Sequence, residues 1–118
     1  MISEERTTHK MKLNPAPFEM IKGGHKTIEL RLYDEKRRAV AVGDTIIFVN
    51  TENGEAISAT VKALHVFADF CELYSSLPLL SCGYTEENVG KASPSDMELY
   101  YTADEQKKYG VVGIELIL

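Results

Sequence analysis

The sequence predicts one mixed α+β domain: about five strands curled into a small barrel, with short helices over its ends. Three observations carry that prediction. Several segments alternate apolar and polar residues with a period of two or form short apolar runs, as strands do. Between them lie brief stretches with apolar residues three or four apart behind good helix caps. The length, 118 residues, with 44% hydrophobic and 26% charged, is that of one globular unit. Such a chain buries roughly two-thirds of its unfolded surface and needs neither metal nor disulfide to fold.

Residues 1–6 read as a frayed tail, and Thr7–Leu13 alternates as a first strand with Met11 and Leu13 inward. The domain proper is set at 9–118, with 1–8 as a flexible N-terminal tail. Asn14-Pro15-Ala16-Pro17 opens a short helix, because proline is tolerated in a first turn, and Phe18 and Ile21 share its apolar face. Gly23-Gly24 ends it. Lys26–Tyr33 is a strand with Ile28, Leu30 and Leu32 on one side and Thr27, Glu29, Arg31 and Tyr33 on the other. Val42–Val49 reads as a turn and a buried strand, Asn50–Glu55 as a hairpin turn, and Ala56–Phe67 as a long strand with His65 near its end. Asp69 caps a helix with Phe70, Leu73 and Leu77 at core spacing. Pro78–Lys91 has no period and reads as a loop. Ser93-Pro94 starts another helix, and Thr102 with Glu105 forms the capping box of a last one. Tyr109-Gly110 stops that helix, and Val111–Leu118 is a terminal strand.

Composition excludes several functions. No apolar run approaches the ~20 residues that cross a bilayer. The polar start lacks the apolar core of a secretion signal, so the expected location is the cytoplasm. Cys71 and Cys82 form no Cys-x-x-Cys, and His9, His25 and His65 lack ligand spacing. The expectation is two small core or near-surface thiols, with no metal and no cofactor. A net charge of −5 argues against a protein that coats duplex DNA. The charge is uneven: residues 1–38 hold nine Lys/Arg against six Asp/Glu, and residues 39–118 hold four against twelve. The basic excess surrounds Lys22–Arg38, which suits a local site for a small anionic or nucleotide ligand, or else a solvated loop and strand edge.

The richest segment is Gly24-His25-Lys26-Thr27-Ile28-Glu29-Leu30-Arg31. A helix ends on glycines, which let backbone approach a ligand, and the chain then enters a strand that holds polar side chains rigidly. The plainer alternative is that Glu29 and Arg31 pair with each other on a strand face. In a regular strand Lys26 and Glu29 point to opposite faces, so they converge only if Lys26 precedes the strand or sits at a bulge. Tyr33, Tyr84, Tyr100 and Tyr101 are candidates to stack on a base or to edge the core. Asn14 offers an amide to a base edge or a helix cap, and Lys36-Arg37-Arg38 suits phosphate contacts or a solvated loop.

The pattern Gly-x-Lys-x-x-Glu-x-Arg at Gly24–Arg31 resembles the signature of the ASCH domain (activating signal cointegrator homology), a PUA-like β-barrel. Met11–Pro15, Phe18–Ile21, the Val42-Gly43-Asp44 turn and Tyr109–Glu115 are also similar to small stand-alone bacterial members, so the likeness spans nearly all of 9–118. It implies an α+β, PUA-like barrel of five to six strands whose motif strand borders a cleft for RNA or a modified nucleoside. Taken with the reading of the residues, the ligand-binding candidates are Gly24, His25, Lys26, Glu29, Arg31, Tyr33, Arg37 and Arg38, and neither duplex DNA nor a membrane is expected as partner. One bacterial branch hydrolyses the acetyl amide of N4-acetylcytidine with a Lys, a Thr and a Glu. Lys26 matches that lysine, Glu29 stands where the branch has its threonine, and Asp96 or Glu98 falls in the region of its glutamate. The resemblance thus gives Lys26 and Glu29 as catalytic candidates if the chain is an amidohydrolase, and as ligand-binding residues if it is a binding module.

Overall fold

The computed structural model describes residues 7–118. Five strands, β1 (Thr8–Leu13), β2 (Ile28–Leu32), β3 (Thr45–Asn50), β4 (Ala56–Phe67) and β5 (Val111–Ile117), alternate with four short helices: α1 (Pro15–Lys22), α2 (Glu35–Arg38), α3 (Phe70–Ser76) and α4 (Ala103–Tyr109). They build one mixed α+β sheet in the order β1-β3-β4-β5-β2, parallel at β1–β3 and antiparallel elsewhere. The sheet curls into a half-barrel whose edge strands, β1 and β2, meet without a backbone ladder. Arg31 spans that seam, its Nη2 donating to the Lys12 carbonyl at 2.9 Å.

The alternation that marked the strands also sorts the core. Met11, Leu13, Ile46, Phe48, Ala59, Val61, Val112, Ile114 and Leu116 fill the half-barrel, closed on one side by Phe18 and Ile21 of α1. A second cluster lies outside it, where Ile28, Leu30 and Leu32 of β2 pack with Val111 and with Phe70 and Leu73 of α3. So β2 turns its apolar side outward under α3, and Glu29, Arg31 and Tyr33 lie on its other face. Tyr33 accordingly packs against the half-barrel cluster. A register shift between Val61 and Ala63 bends the long β4 at the middle, as a bulge does.

Thr7 and Thr8, which the alternation puts in the first strand and the domain boundary puts in the tail, are tied into the sheet. The Thr7 N–H donates to Asp44 Oδ1 at 3.1 Å, its carbonyl accepts from the Thr45 N–H, and Thr8 opens β1. The rest of the expected tail lies outside the described residues. Two further differences concern short elements. The basic run Lys36–Arg38 is a one-turn helix rather than a loop, because Asp34 caps it by accepting from the Arg37 N–H. The helix expected at Ser93-Pro94 is 3-10 over Pro94–Leu99, with a Ser93–Asp96 capping box. Leu77, expected on the face of α3, stands extended just after it and is half-buried against the second cluster.

Candidate functional site

A cleft of about 440 Å³ opens where the half-barrel fails to close. One wall is the end of β1 and the start of α1; its floor is the inward side of β2; the far wall is the loop Cys82–Tyr84 and the segment Asp96–Tyr101. The inward side of β2 explains why charged groups sit here. A strand whose alternate residues are committed to α3 presents the remainder to the seam.

Lys26 lies two residues before β2 begins, off the strict alternation, and so reaches the side of the strand that Glu29 occupies. Its Nζ sits 2.8 Å from Glu29 Oε1, while Arg31 Nε donates to Glu29 Oε2 at 2.7 Å. Glu29 is 3% exposed. Burial alone would raise its pKa, but the charges and hydrogen bonds of Lys26 and Arg31 outweigh burial and hold the carboxyl below its ordinary range. The trio carries net positive charge, is anchored by one buried carboxylate, and spends only one of the three Lys26 N–H donors on it. The neighbouring loop is pinned to the motif by the Thr27 N–H donating to the Ser81 carbonyl at 2.9 Å. Gly83 makes the turn of that loop possible, because at φ +111° it adopts a conformation that favours glycine, and it passes beside the Lys26 side chain. Cys82 is buried beside this cluster, and burial pushes its thiol up to about 11, which leaves it an inert small hydrophobe.

The far wall is a hydroxyl chain. Tyr84 donates to Asp96 Oδ2 at 2.7 Å, and the Tyr74 and Tyr84 hydroxyl oxygens are 2.6 Å apart. Burial, and then the bonds to Tyr74 and Asp96, push the Tyr84 phenol far up, whereas the bonds from Tyr84 and the Ser93 N–H hold Asp96 below its ordinary value. Tyr101 stacks on Phe70, ring centroids 6.2 Å apart, and Tyr100 stands exposed at the mouth. Among the described residues no three His, Cys, Asp or Glu side chains gather to hold a metal ion, and no helix is long and apolar enough to cross a membrane.

The ASCH domain profile matches residues 11–118. The chain belongs to the ASCH domain family. Among solved structures it is similar to the hypothetical protein PH0355, at 36% identity over 93% of this chain and 97% of that one, with a TM-score of 0.77. It is also similar to protein PF0455 from Pyrococcus furiosus, at 34% identity over 93% and 96%, with a TM-score of 0.71. The ASCH protein from Zymomonas mobilis shares the fold, with a TM-score of 0.68 at 18% identity over 97% of this chain and 69% of that one. No curated protein matches the chain significantly.

In this ASCH domain, Lys26, Glu29 and Arg31 come together at the cleft floor. Gly24 lines instead a smaller cavity of about 340 Å³, shared with Lys26, Lys62 and Glu115, and His25 is exposed on the turn and lines neither. Three other candidates are engaged away from the cleft. The Arg38 guanidinium lies 4.4 Å over the Tyr33 ring and donates to the Tyr109 carbonyl at 3.0 Å. Arg37 pairs with Asp34 at 3.1 Å. Asn14, Tyr84, Tyr100 and Tyr101 border the cleft; so does Asp96, whereas Glu98 is exposed and does not. Tyr74 and Cys82 were not legible as site residues: each sits in an apolar helix or loop context that reads as core.

Proposed function

We propose that this ASCH domain binds a nucleobase in the seam cleft, either of a free modified nucleoside or of an RNA. The observation that supports it is the cavity beside the Lys26–Glu29–Arg31 trio. Its volume falls in the range of roughly 300–1,000 Å³ typical of small-molecule sites. Lys26 and Arg31 supply donors for the carbonyl of a base, and Tyr100 at the mouth and Tyr101 within supply faces for stacking. The engagement of Arg37 and Arg38 elsewhere favours a site that holds the base over one that holds a long phosphate backbone.

One observation favours a second reading, hydrolysis of the acyl amide of an N4-acylcytidine: Asp96 borders the same cleft as Lys26. There Lys26 would donate to the amide oxygen while Asp96 orients the water that adds to the acyl carbon. The carbon–nitrogen bond then breaks, and the amine leaves with a proton from that water.

The test is titration of wild type and Lys26→Ala with cytidine, N4-acetylcytidine and a short single-stranded RNA, with products separated by chromatography. The expected result is binding by the wild type and at least a roughly tenfold loss in a folded Lys26→Ala protein. Release of cytidine from N4-acetylcytidine by wild type alone makes the second reading correct. Binding of none of the three overturns both.

A further inference from the structure

The direction of the hydroxyl chain on the far wall is fixed by elementary counting. A phenol has one proton to give. Asp96, ionised and accepting from both Tyr84 and the Ser93 N–H, has none, so the Tyr84 proton is committed to Asp96 Oδ2. The 2.6 Å contact between the two hydroxyls is therefore filled by the Tyr74 proton, and the chain runs Tyr74 to Tyr84 to Asp96. Both of its ends offer lone pairs. Both hydrogen bonds to Asp96 fall on Oδ2, Oδ1 accepts none among the described residues while Asp96 lines the cleft, and the Tyr74 oxygen has given up its only proton. The cleft thus carries donors on its floor, Lys26 and Arg31, and acceptors on its far wall, all in one cavity.

We propose that Asp96 is a specificity-determining residue of this cleft: its carboxylate, oriented by the Tyr74–Tyr84 hydroxyl chain, accepts a hydrogen bond from an N–H on the edge of the bound base. This rests on the base-binding reading above and adds to it the class of ligand. The preferred ligand is a neutral heterocycle with a carbonyl at one edge and an N–H donor at another. A ligand whose far edge is an acceptor or an anion meets an unprotonated carboxylate and is rejected. Tyr84 and Tyr74 are positioning residues. They hold the carboxylate in one orientation, and a preorganised acceptor discriminates better than a mobile one.

The experiment compares cytidine, which has an exocyclic amine, with N4,N4-dimethylcytidine, which lacks the N–H, on wild type, Asp96→Asn and Tyr84→Phe. Asparagine keeps an oxygen for the Ser93 N–H, so the turn is preserved, yet it offers the cleft an N–H instead of a lone pair. Wild type is expected to prefer cytidine by roughly 10- to 100-fold. Asp96→Asn is expected to lose that preference, and Tyr84→Phe to weaken cytidine binding while keeping it. A second readout needs no ligand: the short Tyr84–Asp96 bond gives a downfield hydroxyl proton in the wild-type NMR spectrum that vanishes in Tyr84→Phe. Equal affinity of wild type for the two nucleosides, an unchanged ratio in Asp96→Asn, or no such hydroxyl proton each overturns the proposal and leaves base binding standing. Failure of wild type to bind either nucleoside removes base binding itself, and the proposal with it.

Discussion

Glu29 shows how much one side chain can hold. Its carboxylate is taken out of water and returned to favourable surroundings only by Lys26 and Arg31, whose charged ends lie within 2.8 Å and 2.7 Å of it. Removing the carboxylate leaves two half-buried cations facing each other without their counter-charge, the costly way to break a buried pair. Glu29→Gln is therefore expected to lose about 3–5 kcal/mol of stability in denaturant unfolding. A loss below about 1 kcal/mol would mean that the trio is no more than a surface pair. The pH dependence has a definite sign. Glu29 in the folded protein titrates below its unfolded value of about 4.3, so its contribution is present above that pH and disappears as pH falls through the lowered folded value. The stability difference between wild type and Glu29→Gln should accordingly be constant near neutrality and shrink below about pH 4.3. A difference that instead grew on acidification would show the carboxyl to be protonated in the fold.

At the scale of elements, what was legible in the sequence is what depends on neighbours in the chain. Asp69 and Thr102 cap α3 and α4 because a carboxylate or hydroxyl three residues before an N–H can close on it whatever the rest of the protein does. β4 was legible along its whole length for the same reason, its turn at Asn53-Gly54 and its alternation both being local. The short helix α2 was missed because Lys36-Arg37-Arg38 carries no apolar face; only Asp34 marks it. Gly110 is the junction where such local signals meet a tertiary one. It ends α4 and starts β5 at φ +74° and ψ −175°, a region held almost only by glycine, and a Cβ there would stand 3.0 Å from the Phe67 carbonyl oxygen. Gly110→Ala is expected to cost about 1–3 kcal/mol, read as a lowered melting temperature. An unchanged melting temperature would mean that the α4–β5 turn relaxes freely.

For the molecule as a whole, the decisive feature is that the sheet curls but does not close. The motif was legible because its three charged residues lie within six positions, and their convergence turned on a condition the strand period could state in advance: Lys26 precedes β2. The far wall was legible only in single residues, Tyr84, Tyr100, Tyr101 and Asp96, and not as a wall. Tyr74, Tyr84 and Asp96 come from a helix, a loop and a 3-10 turn, and nothing in their spacing announces that these segments meet. The seam itself hangs on Arg31, which alone among the trio touches both edge strands: its Nε holds Glu29 on β2 and its Nη2 holds the Lys12 carbonyl on β1. A guanidinium can make both bonds because its donors form a rigid planar fork, whereas an ammonium is a point charge at the end of a flexible stem. Arg31→Lys therefore keeps the charge beside Glu29 and gives up the bridge. The expected outcome is faster amide hydrogen exchange in the β1–β3 ladder, by roughly 10- to 100-fold if the lost bond is one to a charged group, with exchange in the β4–β5 ladder unchanged. Equal protection of β1 in the two proteins would show that its pairing to β3 suffices and that the seam needs no bridge. Slowing or loss of ligand binding in the same variant, with β1 protection intact, would assign Arg31 to the ligand and not to the frame.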